Sequence, residues 1–136
     1  MKENEKAGKP EQKKRKDDRW LDLEIWKIAD ALALQVFKET QAFPQCELYG
    51  LTSQLRRAVL SIPTNIVEGC SRKGDRELAR FISISLGSLG EVKYLLYFSH
   101  QIGYLNKKSY DELSDVAKRL GAKLWRFYEK VRETNP

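Results

Sequence analysis

The sequence predicts an all-α fold: an antiparallel, up-down-up-down four-helix bundle behind a disordered, charged N-terminal tail. Three observations predict it. Four segments repeat apolar residues at three- and four-residue spacing, and proline and glycine separate these segments at short intervals. No stretch alternates apolar and polar residues over the length of a strand. Short connections between consecutive helices make sequence neighbours antiparallel neighbours. A chain of 136 residues suits one domain with one core.

Residues 1–18 are expected to form the tail, and residues 19–134 the bundle. The stretch from Lys9 to Asp18 carries no apolar residue able to dock it. Its basic run, Lys13, Lys14, Arg15 and Lys16, is followed at once by Asp17 and Asp18, which blunt the local field. Such a segment serves as a solubilising tail or as a phosphate-contacting arm.

The first helix is expected over about Leu21–Gln41, with Ile25, Ala29, Leu32 and Val36 on one stripe. It stops at Phe43-Pro44, because proline disfavours helix in the residue before it. The second is expected over about Glu47–Glu68, with Gly69 just past its end in the left-handed conformation. Pro63 inside it removes one backbone hydrogen bond and predicts a kink. Ser61, Thr64 and Asn65 lie around the proline to satisfy freed backbone groups.

The third helix is expected over about Asp75–Ile102, capped by Gly74 and closed by Gly103. The fourth begins near Asn106 or Ser109, where Ser109-Tyr110-Asp111-Glu112 matches a capping box, and ends near Arg132. Gly87 and Gly90 each cost the third helix about 1 kcal/mol against alanine. They mark tight packing within the chain or close approach of something else. The same helix is apolar almost all round, through Leu78, Ile82, Leu89 and Leu96 on one side and Phe81, Ile84 and Phe98 on another. A four-helix bundle has no central helix to bury so wide a surface, so a homo-oligomer is predicted.

The net charge of +6 permits contact with nucleic acid or an acidic membrane. No apolar run reaches the roughly 20 residues of a membrane span, and residues 1–19 lack the apolar region of a secretory signal. A cytoplasmic protein without membrane contact is expected. Cys46 and Cys70 bracket one helix and would lie about 36 Å apart, too far for a disulfide.

No metal or cofactor site is expected, since neither HExxH nor a phosphate-cradling glycine loop occurs. The lone His100 has no orienting partner at a telling spacing, so no enzyme is predicted. Glu68 and Glu91 are expected to face inward and pair with Arg56 or Arg57. These two arginines sit beside apolar Leu55, Ala58 and Val59, as structural ion-pair partners or as phosphate contacts. Arg72, Lys73, Arg76 and Arg80 gather around the start of the third helix, where cations oppose the helix dipole and invite an explanation. In an up-down bundle they share one end with the tail and with Arg126, Lys130 and Arg132.

One pattern is more specific. Phe43-Pro44, Glu47, Tyr49-Gly50-Leu51, Ser53-Gln54-Leu55-Arg56-Arg57-Ala58 and Ser61-Ile62-Pro63-Thr64-Asn65-Ile66-Val67-Glu68-Gly69 run through the second helix. With Arg72, Glu77, Phe81, Gly87-Ser88, Glu91 and Gly103-Tyr104-Leu105, they resemble the bacterial four-helix bundle proteins encoded in intervening sequences of 23S ribosomal RNA genes. The resemblance covers about residues 20–130. Gly74 stands where a serine cap is more usual, and Cys46 where a polar or acidic residue is.

The resemblance implies an up-down bundle assembled as a homopentamer, with no enzymatic activity. A related branch, the accessory variability proteins of diversity-generating retroelements, binds nucleic acid and a partner reverse transcriptase. The combined expectation is a non-enzymatic basic oligomer that contacts nucleic acid, RNA in particular. Its contacts are Lys13, Lys14, Arg15, Lys16, Arg56, Arg57, Arg72, Lys73, Arg76 and Arg80. The alternative is an accessory scaffold for a protein partner such as a reverse transcriptase.

Overall fold

A computed structural model describes residues 16–133, and the side chains of residues 18–133. A 3-10 helix over Lys16–Asp22 leads into α1 (Glu24–Thr40). A 3-10 turn over Gln45–Glu47 precedes α2 (Leu51–Ser71), and α3 (Gly74–Gln101) and α4 (Lys107–Glu133) follow. The 3-10 helix packs on α2 and α1.

Each helix packs on two neighbours: α1 on α2 and α4, α3 on α2 and α4. The backbones of the diagonal pairs do not approach closely, which is the arrangement of a square up-down bundle. Leu32, Leu55, Ile62, Ile82, Leu113 and Leu120 are fully buried along its axis. Each such side chain contributes about 1.5–3 kcal/mol relative to exposure.

Helix ends follow local chemistry, with two corrections. Asn106, not Ser109, caps α4: its Oδ1 accepts the backbone N–H of Ser109 at 2.8 Å. Glu112 instead lies 3.7 Å from Lys108, so the box is not made. Gly69 is inside α2 rather than past it, buried where a Cβ would sit 3.0 Å from Leu78 Cδ1 and from Phe81 Cβ. It lets α3 approach α2. The left-handed glycines are Gly74 (φ +85°), at the sharp α2–α3 turn, and Gly103 (φ +88°), closing α3.

Pro63 is buried within α2, and a polar seam surrounds it. Ser85 of α3 donates to the carbonyl of Ile62 at 2.8 Å, and Asn65 Nδ2 donates to the carbonyl of Ser61 at 2.8 Å. The hydroxyls of Ser61 and Ser88 meet at 2.8 Å across the α2–α3 interface. Buried hydroxyls in this seam are therefore satisfied within the chain.

Gly87 and Gly90 do not serve close packing within the chain, because a Cβ at either position meets nothing within 4 Å. They lie on the solvent side of α3, with Ile84, Tyr94, Tyr97 and Phe98 exposed along the same helix and Ile102 exposed just past its end. The ring of Tyr94 lies 6.5 Å from Tyr97 and 6.2 Å from Phe98, an aromatic cluster on the outside of the bundle.

Candidate nucleic-acid interface

The antiparallel order brings the α2–α3 turn, the start of α1 and the end of α4 to one end of the bundle. Lys123 Nζ of α4 lies 3.4 Å from Glu24 Oε2 at the start of α1. Burial raises the pKa of the Cys70 thiol near the end of α2, and Arg19 of the 3-10 helix lies close enough to offset part of that rise. The 3-10 helix that follows residues 1–15 thus sits at this same end.

The predicted contacts fall into different situations. Lys13, Lys14 and Arg15 lie outside the described residues, and Lys16 begins the 3-10 helix. Arg56 is turned into the chain. Its Nε donates to Thr40 Oγ1 at 2.8 Å, one Nη donates to the Phe37 carbonyl at 3.2 Å, and its guanidinium lies 4.8 Å from the Phe37 ring centre. Arg57 is exposed and donates to Ser53 Oγ at 3.2 Å. Glu68 and Glu91 do not reach either arginine: both are exposed, Glu68 pairing with Arg72 and Glu91 accepting from Gln54 at 3.5 Å. The helical spacing that carries Leu55 and Ile62 inward carries these acids outward.

Around the α2–α3 turn the cations are largely matched. Arg72 is 2.8 Å from Glu68, and Arg80 is 3.2 Å from Glu77. The Arg80 hydrogen bond, with the charges of Arg72 and Arg76 nearby, holds the Glu77 carboxyl below the usual range. The guanidiniums of Arg72 and Arg80 lie 5.2 Å and 4.5 Å from the Phe81 ring centre and cover it. Lys73 and Arg76 are exposed. Over residues 68–80, four cations face three acids, a net charge of only +1.

The C-terminal half of α4 is different. Residues 118–133 hold six cations against two acids, a net charge of +4. Residues 16–133 as a whole hold nineteen against sixteen, a net charge of +3. The surplus of the described chain therefore lies on this half-helix. Lys118, Arg119, Arg126, Lys130 and Arg132 are exposed, and among the described residues none of them is in an ion pair. Bundle topology alone places Arg126, Lys130 and Arg132 at this end. A running charge count along the helix adds Lys118, Arg119 and Lys123, which the topology does not single out.

The single histidine has a structural place. His100 Nδ1 donates to the Leu105 carbonyl at 2.8 Å, and its ring stacks on Tyr110 at 4.7 Å. Both contacts brace the α3–α4 turn. Among the described residues, no group of three His, Cys, Asp or Glu is arranged to hold a metal ion, and no helix is long and apolar enough to cross a membrane.

Among the described residues the chain is an up-down four-helix bundle whose unpaired cations face solvent on the second half of α4. The chain belongs to the 23S rRNA-intervening sequence protein family, whose model matches residues 21–126. Its fold is also that of a solved protein of unknown function from the S23 ribosomal protein family of Bacteroides thetaiotaomicron. That structure is 16% identical, aligns with a TM-score of 0.69, and covers 76% of this chain and 97% of its own. No curated protein matches the sequence. Family and fold are those of an all-α helical protein.

Proposed function

We propose that this protein is a non-enzymatic, homo-oligomeric bundle that contacts nucleic acid, RNA in particular, through phosphate-directed lysines and arginines. The observation that carries the reading is the surplus of +4 on residues 118–133, where of six cations only Lys123 is in an ion pair inside the described chain. Each cation that neutralises a phosphate releases a counterion, which gives affinity at low salt without reading sequence. Residues 1–15, with six cations against three acids, carry a further net charge of +3 and precede the 3-10 helix in the sequence. Lys73, Arg76 and Arg57 extend the set, whereas the donors of Arg56 are engaged inside the bundle.

The neutral outer face of α3 supports the oligomer. Tyr94 and Tyr97 are 59% and 49% exposed beside glycines that pack on nothing in the chain. Apolar surface of this kind is covered by another subunit, a homopentamer being the assembly the family resemblance implies. Symmetry then multiplies each basic half-helix into a ring of sites. The alternative, an accessory scaffold for a protein such as a reverse transcriptase, draws on a second apolar groove. This groove lies between α1 and α2, lined by Leu34, Phe37, Leu48, Tyr49 and Leu60.

The test is binding of a 23S ribosomal RNA fragment from low to moderate salt, by the whole chain and by a chain lacking residues 1–15. Affinity that falls linearly with the logarithm of salt, with a shallower slope for the shortened chain, supports the reading. Absent binding at low salt, or binding without a salt slope, defeats it. Light scattering that finds a monomer at micromolar concentration defeats the oligomer.

A further inference from the structure

We propose that the flank of α4 running from Trp125 to Arg132 stacks unpaired nucleobases, so that the nucleic acid this bundle holds is single-stranded rather than duplex. The inference rests on the nucleic-acid reading above and names the kind of strand that reading leaves open.

Trp125 is 51% exposed on a helix whose other outward residues are largely charged. Its ring centre lies 5.5 Å from that of half-buried Tyr128, with 35° between the planes. The guanidinium of Arg132 lies 5.6 Å from the Tyr128 ring centre. Positions 125, 128 and 132 follow three- and four-residue steps, so indole, phenol and guanidinium form one line of flat groups along a single flank. Lys118 lies on the same flank about two turns earlier.

Helix-terminal electrostatics account for part of this. Cations near a helix C-terminus are favoured by the macrodipole, which explains Lys130 and Arg132. It does not explain an indole left half in water. The other two tryptophans of the chain, Trp20 and Trp26, show the ordinary use: both pack against the core and meet edge-on at 4.9 Å. Trp125 faces outward, among the largest surplus of positive charge in the described chain.

The position of Gly121 sets the flank against α3. A Cβ there would lie 3.3 Å from Leu89 Cδ2 and from Lys93 Nζ. Because the two helices are antiparallel, moving from Gly121 to Arg132 travels about 16 Å toward the start of α3, roughly to the level of Arg80. The aromatic line thus has the cations of α4 on one side and leads toward Arg76 and Arg80 on the other. A single strand laid along it stacks bases on Trp125 and Tyr128 while its phosphates meet cations on both sides.

The strandedness follows from the aromatic part. Phosphate contacts alone accept duplex and single strand alike, but a ring stacks only on a base whose face is free. Arg132 adds a second planar cation suited to the same faces. The other exposed aromatic cluster, Tyr94, Tyr97 and Phe98, lacks the companion charge. Residues 84–102 hold one Lys against one Glu, a net charge of zero, which suits a protein surface better than a polyanion.

The experiment measures binding of a uridine homopolymer and of a duplex RNA of equal length, by wild type and by Trp125→Ala and Trp125→Phe, with melting curves to confirm folding. The inference expects tryptophan fluorescence to be quenched by the single strand and the quench to vanish in Trp125→Ala. It expects Trp125→Ala to weaken single-strand binding by about tenfold or more, Trp125→Phe to retain most of it, and duplex binding to stay unchanged. Equal weakening for both strands, or binding indifferent to Trp125, overturns stacking while leaving the phosphate-directed reading standing. Failure of wild type to bind either strand at low salt overturns both. A Trp125→Ala chain that falls to monomers in light scattering makes this flank a subunit contact and overturns the inference.

Discussion

Helices α2 and α4 are both long, amphipathic and arginine-bearing, yet they use their polar residues in opposite ways. On α2, Arg56 is tied to Thr40 and Phe37 of α1, Ser61 and Asn65 bond to one another, and Ser61 meets Ser88 of α3. Gly69 is given over to close approach of α3. On the second half of α4, five cations and a tryptophan point to solvent, with only Lys123 drawn into an ion pair with another helix. A polar group engaged inside the chain strengthens the fold and is withheld from partners. A group left outside does little for the fold and is available for binding. The same residue type therefore means different things on the two helices, and four measurements test that contrast.

The largest effect belongs to α4. Replacing Lys118, Arg119, Arg126 and Lys130 together by Gln should lower RNA affinity by about a hundredfold at low salt. It should also flatten the salt slope by roughly 0.7 to 0.9 for each phosphate that is no longer neutralised. Thermal stability should change by less than about 1 kcal/mol, since these groups make no ion pair among the described residues. A fall in stability in proportion to the fall in binding would erase the contrast.

Next comes Arg56 on α2. Arg56→Ala removes two hydrogen bonds from a charged donor and a guanidinium–Phe37 contact, and should cost about 2 kcal/mol in denaturant unfolding. RNA affinity should not move. A selective drop in affinity would return Arg56 to the binding surface.

The two packed glycines give a smaller effect of opposite character. Gly69→Ala places a Cβ 3.0 Å from the Phe81 Cβ, which cannot swing aside, so overpacking outweighs the gain in helix propensity. Unfolding should become easier by about 1 kcal/mol. Gly121→Ala meets only the ends of Leu89 and Lys93 at 3.3 Å, which can give way, and should leave stability within roughly 0.5 kcal/mol of wild type or above it. Equal destabilisation at both positions would contradict the packing described.

The smallest effect lies where α2 and α4 begin. Tyr104 donates to Glu47 Oε2 at 3.0 Å, while Glu47 Oε1 accepts the N–H of Leu51 at 3.2 Å. The hydrogen bond and negative charge of Glu47 raise the Tyr104 pKa above 10.0. A raised pKa in the folded state means that the bond stabilises fully below the unfolded value and vanishes as pH rises through the folded one. Stability should therefore fall slightly more above pH 10 in wild type than in Tyr104→Phe, as read by thermal melts across that range.

Much of the fold is legible in the sequence because helices declare themselves locally. The apolar spacing of Ile25 to Val36 and of Leu113 to Leu124 marks inward faces, and Phe43-Pro44 and Gly103 mark stops. Glycine is less legible, since Gly69 and Gly74 look alike in a string. Only the approach of Leu78 and Phe81 makes one a packing residue, and only the turn between α2 and α3 gives the other its positive φ. The candidate site is partly legible for the same reason. Charge can be counted along α4, but whether a cation is free depends on which side chains arrive from other helices. Glu68 and Glu91 show this, because their chemistry suggests a match with Arg56 and Arg57, whereas Glu68 pairs with Arg72 and Glu91 accepts from Gln54.

The sequence by itself determined four amphipathic helices, their order and approximate ends, and the overall positive charge. These follow from side-chain periodicity and backbone preferences that act within a few residues. Tertiary structure alone decided that Arg56 belongs to the core boundary, that His100 braces a turn, and that Trp125 stands in solvent among unmatched cations. A hydrogen bond, a stacked ring or an exposed indole is set by neighbours distant in the chain, and only the packed bundle brings those neighbours together or keeps them apart.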